Sequence, residues 1–232
     1  MRLDKYRKAA LTLALAAVIP VAAFAPATAI AAGEAASLDA DTVEYDMSTG
    51  LVTAEGDVLM KRGTSRVSGE RASYNTKTQA GSVIGNVIAV HDDMRLTCAQ
   101  VTSDGSGHMQ ATGGVHGTQA DKSFTGEQVD YYPENKYVLM ATGGTLTSAD
   151  GTFTADHLEG WLAEEHYVGK GNAHVVSPAR GLEAGGDQLD YYGQGDGKAV
   201  MTGNAWAVQN NNTMKSNRLT IYLAKDGQAA VK

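Results

Sequence analysis

The side chains able to do chemistry in this chain are thinly spread. Its six histidines, His91, His108, His116, His157, His166 and His174, fall at no metal-ligand spacing and read as surface or turn residues, so no metal site is expected. Cys98 is the only cysteine. It cannot close an internal disulfide and stands in a column of small residues, which makes it a small buried hydrophobe rather than a nucleophile. Acids recur at Asp41, Glu70, Glu127, Asp156 and Asp187. Paired carboxylates could cleave a glycosidic bond, and acidic repeats could hold calcium. These acids come one at a time beside a bend, where solvated turn-forming groups belong. "GQGDGKAV" from Gly193 resembles a calcium-repeat turn but occurs once. No G-x-S-x-G, P-loop or H-E-x-x-H pattern is present, and no catalytic residue, cofactor or enzyme activity is expected.

One basic stretch stands out. Residues 59 to 77 hold Lys61, Arg62, Arg66, Arg71 and Lys77 against a single acid, Glu70. Lys61, Arg62, Arg66 and Arg71 are candidates for meeting an anionic headgroup or an acidic partner; the competing reading is a solvated strand face and loop. The whole chain is acidic, with 19 Lys+Arg, 26 Asp+Glu and a formal net charge of −7. Nucleic acid is therefore excluded as a partner.

The elements that must position these residues repeat. A strand, a polar turn and a second strand recur about every 29 residues. The first strands align on Leu38, Val67, Leu96, Phe124, Phe153, Ala184 and Met214, followed two residues on by a small residue such as Ala40, Gly69, Cys98 or Gly126. A second apolar pair follows, as in Val43/Tyr45, Ala72/Tyr74, Val129/Tyr131 and Leu189/Tyr191, one residue out of phase with the first. A phase slip of one beside a small residue predicts a bulge or sharp bend. The second strands carry Gly56, Gly85, Gly113, Gly143, Gly171 and Gly203, mostly followed by Asp, Asn or Gly. Alternation of period two around them predicts half-buried strands. Both devices curve a sheet, so the expected fold is all-β: a curved antiparallel sheet of about seven hairpins folded so that its inward faces oppose. The seventh copy has only a first strand, Met214 to Leu223, leaving a free edge able to accept a strand from a similar domain.

Residues 1 to 32 read as a secretory signal: a basic start at Arg2, Lys5, Arg7 and Lys8, an apolar run from Ala9 to Ala25, and small residues at Ala27-Thr28-Ala29. Cleavage is expected between Ala29 and Ala32, leaving residues 33 to 232 as one β domain. Retention as a membrane anchor is the alternative.

The phrases "ADTVEYDMSTGLVTAEGDV", "GEQVDYYPENKYVLMATGG" and "GDQLDYYGQGDGKAVMTGNA" resemble the LptA/OstA family of lipopolysaccharide-transport proteins, over residues 37 to 227. The resemblance implies an open β-jellyroll in the periplasm. Its apolar interior would hold lipopolysaccharide acyl chains and pass them from the inner to the outer membrane. It implies partners that join by strand addition: the OstA-like domains of the inner-membrane transporter complex and of the outer-membrane translocon, and further copies head to tail. The candidate lining is Val43, Tyr45, Val58, Met60, Ala72, Val87, Phe124, Val129, Leu139, Phe153, Leu158, Tyr167, Leu189, Met201 and Leu219. From periodicity alone these residues fill a closed sandwich core, as in a structural or adhesive repeat protein; the resemblance makes them groove walls. The membrane-anchored inner-membrane partner of the same system is a further alternative. Copies three and five lack the second-strand-facing tyrosine, having Ser103 and Gly160 in its place.

Overall fold

A computed structural model describes residues 36–149, 151–193, 197–223 and 229–231. The expected signal segment and part of the "GQGDGKAV" turn lie outside the described residues. The strands are β1 (Ala36–Asp39), β2 (Thr42–Asp46), β3 (Leu51–Arg62), β4 (Ser65–Asn75), β5 (Gly81–His91), β6 (Met94–Ser103), β7 (Met109–Gln119), β8 (Lys122–Tyr132), β9 (Tyr137–Met140), β10 (Gly144–Ser148), β11 (Gly151–Ala155), β12 (His157–Trp161), β13 (His166–Ser177), β14 (Leu182–Tyr192), β15 (Lys198–Gln209), β16 (Asn212–Leu223) and β17 (Ala229–Val231). They form one 17-stranded sheet in which every ladder is antiparallel.

The path is a meander. From β3 to β8 each strand pairs with the next. β8 then pairs with both β9 and β10, halves of one broken strand, which in turn pair with β12 and β11. Both halves reach β13, and the meander resumes to β16. β1 and β2 are likewise two halves on β3. The ladders start there and end at β17, which covers only Ile221–Leu223 of β16, so the sheet does not close into a barrel. That short strand was not foreseen from the repeat.

The turns have local causes. Asp46 accepts hydrogen bonds from the Ser48 hydroxyl at 2.6 Å, the Thr49 hydroxyl at 2.8 Å and the Ser48 N–H at 2.8 Å, an Asx-type turn that holds its carboxyl down at about 2. Asn75 Oδ1 likewise accepts from the N–H groups of Lys77 and Thr78. Pro133–Asn135 and Pro178–Arg180 make single 3-10 turns, each ending in a left-handed residue, Lys136 or Gly181.

The expected bends are bulges built on one plan. In β3, β5, β7, β13 and β15 the register shifts at Gly56-Asp57, Gly85-Asn86, Gly113-Gly114, Gly171-Asn172 and Gly203-Asn204, every one at positive φ. Two residues there face one on the neighbouring strand, which accounts for the phase slip between Val67/Gly69 and Ala72/Tyr74. The recurrent acid is that facing residue. Glu70 accepts a hydrogen bond from the Asn86 amide at 2.7 Å, Asp156 from Asn172 at 2.7 Å, and Asp187 from Asn204 at 3.1 Å. At Gly203, φ is +71° and a Cβ would lie 2.3 Å from the Asp187 carboxylate, so glycine is required twice over. Where Ala99 replaces the acid, the facing pair is Gly113-Gly114, lacking the amide too. The acidic column clamps bulges.

The core lies on one face of the sheet. Its rows run strand to strand; one passes through Leu38, Met60, Val67, Ala89, Leu96, Gly117, Phe124, Leu146, Phe153, Val175, Ala184, Ala207 and Met214. Phe153, Met140 and Met201 on this face are 0% exposed. With no helix beyond two 3-10 turns among the described residues, only the sheet itself can cover them. The sheet therefore folds over, inner face on inner face.

Candidate functional site

The inner face is the candidate site, and its two ends differ. Val58, Val87, Phe124, Val129, Phe153, Leu158, Tyr167, Leu189, Met201 and Leu219 point inward and are buried; Met60 and Ala72 are half-buried beside them. Val43 and Tyr45 stand in the same inner rows, through the register pairs Val43↔Ala54↔Ala72 and Tyr45↔Val52↔Tyr74, yet are 48% and 52% exposed. The lining is continuous, and it is uncovered at β2.

Leu139 needs correction. Its neighbours Val138 and Met140 are buried, whereas Leu139 pairs with Asp130 and Glu159 on the outer face. A slip of one residue exchanges faces. Here the Gly-Asn bulge gives way to a strand break at Ala141-Thr142-Gly143, so the repeat offered no marker for the phase. Lining positions missed by the reading include Val83, Ala111, Leu146 and Val175, all buried. They belong to second strands, where alternation could have found them.

The basic residues do not form one cluster. Lys61 and Arg66 face each other in one outer-face row that runs through Ser37, Lys61, Arg66 and Val90, while Arg71 pairs with Glu55 in another outer-face row. Arg62 falls in the inner-side row with Ser65, at the rim of the lining, and is half-buried. Lys61 reaches Asp39 at 3.9 Å with both side chains largely exposed, an interaction of little energetic weight.

The outer face of the C-terminal half is polar and aromatic. His108, Tyr132, Tyr137, Trp161, His166 and Tyr192 form a cross-strand ring ladder with centroid spacings of 4.6, 5.7, 5.2, 5.0 and 4.5 Å. Beneath it, buried Asp130 accepts hydrogen bonds from Gln110 at 2.7 Å and Gln128 at 2.6 Å and lies 2.7 Å from His108 Nε2. Glu159 is met by Lys170 at 2.6 Å, His157 at 2.9 Å and Tyr137 at 3.1 Å. Burial opposes its ionisation, but these hydrogen bonds outweigh it and hold its carboxyl below the ordinary range. Burial, with the Glu159 charge second, pushes the Tyr137 phenol up to about 12. His91, His108, His157, His166 and His174 thus each lie beside a single carboxylate, and no group of three metal-ligating side chains exists among the described residues. Burial also raises the Cys98 thiol to about 11, an unreactive state.

These features define an all-β repeat protein: an open, bulged antiparallel sheet folded on an uninterrupted apolar face. Residues 37–166 match the family model described as LptA/(LptD N-terminal domain) LPS transport protein. That is more than half of the chain, which belongs to this family. No curated protein matches it. Among solved structures 22 chains match. One is the crystal structure of LptH, described as the LptA homologous periplasmic component of the conserved lipopolysaccharide transport device from Pseudomonas aeruginosa. It is 15% identical, the match covers 45% of this chain and 80% of that one, and the TM-score is 0.40.

Proposed function

We propose that this lipopolysaccharide-transport family member carries acyl chains of lipopolysaccharide, or of a similar multi-chain glycolipid, on its inner face and passes them on without catalysis. One observation carries the reading: the inner rows are apolar from Leu38 to Met214 and from Val43 to Leu219 and remain uncovered at the N-terminal end. Backbone pairing runs along the sheet, so parting the opposed walls at β2 to β4 exchanges side-chain contacts for lipid contacts and breaks no ladder. Half-burying a chain of about twelve carbons is worth roughly 5 kcal/mol gross, at about 0.8 kcal/mol per methylene. One chain alone would bind weakly after association costs, and several would bind well. Because the force is non-directional, a chain can slide to an equivalent lining at little net change in free energy.

In this proposal Val43, Tyr45, Met60 and Ala72 receive the first acyl chain, and Arg62 at the rim meets a phosphate. Lys61, Arg66 and Arg71, on the outer face, meet an acidic partner. The protein works in the periplasm after loss of its leader. It joins copies of itself, and OstA-like domains at the inner and outer membranes, through its free strand edges. N-terminal sequencing of the exported protein tests the leader; an intact start would favour the membrane-anchored alternative.

The near-complete burial of the central lining favours a second reading, a structural repeat protein with a permanently closed core. Mass spectrometry of organic extracts of the purified protein separates the two. Acylated glycolipid in near-stoichiometric amount, lost in a Val43→Asp/Tyr45→Asp variant that still folds, is the expected result. Extracts free of lipid, and no binding of a fluorescent fatty acyl probe, would leave the closed core standing.

A further inference from the structure

The inner side of β3 to β8 carries charge in one row only. It is the last row before one set of turns: Arg62 in β3, Ser65 in β4, His91 in β5, Met94 in β6, Gln119 in β7 and Lys122 in β8. No carboxylate stands in that row or in any other inner row of these strands, although the whole chain has a net charge of −7. At the opposite ends of the strands the last inner row runs from Tyr45 to Tyr131 through Val52, Tyr74 and Met109 without a charge. The bulges at Gly56, Gly85 and Gly113 fall between these two rows at one level, so the strands bend together and the two sets of turns become the two lips of the folded sheet. One lip is basic and the other aromatic.

Arg62, His91 and Lys122 are half-buried. The hydroxyls between Arg62 and His91 are held in place: Ser65, 1% exposed, has its Oγ 2.8 Å from His91 Nδ1, and the Thr64 hydroxyl lies 3.3 Å from the same nitrogen. Acids occur only beyond the row, in the turns. Asp92 lies 3.6 Å from His91 Nε2, Asp93 accepts a hydrogen bond from Gln119 at 3.1 Å, and both, like Asp121, are exposed, where solvent ions screen them. Past β8 the same lip offers the uncharged Ser148, Ser177 and Gln209, with Arg180 in the turn between β13 and β14.

We infer that this row is a headgroup site: it takes the phosphate of an acylated phospholipid or phosphoglycolipid whose chains lie on the lining, and so fixes which way round the ligand sits. The inference rests on the proposed binding of acyl chains to the inner face. A phosphate at the aromatic lip would exchange water for apolar and ring surface with nothing to neutralise it. At the basic lip the Arg62 guanidinium offers a planar fork to two phosphate oxygens, and Lys122 a point charge. The row crosses the strands in steps of about 4.8 Å, so a headgroup can pass from Arg62 by His91 to Lys122 while its chains slide along the adjoining row from Met60 to Phe124. Beyond Lys122 no charge in the row holds it.

Displacement of a neutral apolar dye from the full mature protein tests this, with two lipids that share one myristoyl chain: lysophosphatidic acid, which bears a phosphate, and monomyristoylglycerol, which bears none. Wild type should bind the phosphate lipid about tenfold or more tightly, the scale of one charge-assisted hydrogen bond. Arg62→Gln/Lys122→Gln should lose that preference while keeping its affinity for monomyristoylglycerol and its melting temperature. Lys61→Gln/Arg66→Gln, adjacent in sequence but on the outer face, should keep the preference. Equal binding of the two lipids by wild type, or a preference that survives in Arg62→Gln/Lys122→Gln, would overturn the headgroup site and leave the acyl-chain reading intact. Millimolar inorganic phosphate that abolishes the preference would assign the row to free anions instead and overturn the inferred orientation. Failure of both lipids to displace the dye would remove the acyl-chain reading, and this inference with it.

Discussion

The N-terminal strands and the C-terminal half are built from the same repeat and end in opposite states. In β8 to β16 the inner side chains are covered, the outer face is tied by the ring ladder and by hydrogen-bonded carboxylates, and Phe153 is 0% exposed. In β2 the same columns present Val43 and Tyr45 about half exposed, with Met47 and Leu51 also exposed beside them. Equivalent residues therefore do different work: stability concentrates where the fold covers the lining, and access remains where the cover stops.

The largest effect expected on this contrast comes from truncating the lining at each end. Phe153→Ala should cost about 3–5 kcal/mol in urea unfolding, through lost transfer energy and a cavity, whereas Tyr45→Ala should cost under about 1 kcal/mol. Equal costs would erase the distinction between a covered and an uncovered end. Next, Gly203→Ala should lose about 1–2 kcal/mol, because a left-handed φ and the Asp187 carboxylate both oppose a Cβ. Gly114→Ala, at φ +63° with open space around it, should lose less. The difference between the two isolates the acid clamp.

Acid sharpens the comparison further. Glu159 has a lowered folded pKa, so its contribution is present above the unfolded value near 4.5 and fades as pH falls through the folded one. Wild type should exceed Glu159→Gln in stability at pH 6, and the gap should close towards pH 3, read from melting temperatures across that range. A gap independent of pH would assign the effect to packing. The smallest change should come from Arg66→Glu/Arg71→Glu, within about 0.5 kcal/mol of wild type in stability, since both side chains are exposed. If that variant also keeps lipid loading and partner capture unchanged, these residues are a solvated face.

Much of the fold was legible because the repeat samples one structural problem many times. The phase slip between Gly69 and Ala72 announced a bulge, and the glycines at 56, 85, 113, 171 and 203 marked its other side. The acids were read as solvated turn-forming groups and not as clamps, since their partner amides lie sixteen or so residues away in sequence and meet them only across a strand pair. Leu139 was misplaced where the bulge motif is missing. The basic stretch looked like one patch because sequence distance ignores alternation: Lys61 and Arg62 are adjacent in the chain and lie on opposite faces.

Local chemistry along the chain was enough to set the strands, their curvature and the apolar columns, because period, turn residues and left-handed glycines act within a few residues. Whether a given column is covered is a different kind of property. It depends on how far the curved sheet closes over itself, which sums small bends across all the strands, and it left Phe153 sealed while Tyr45, in an equivalent strand, faces water.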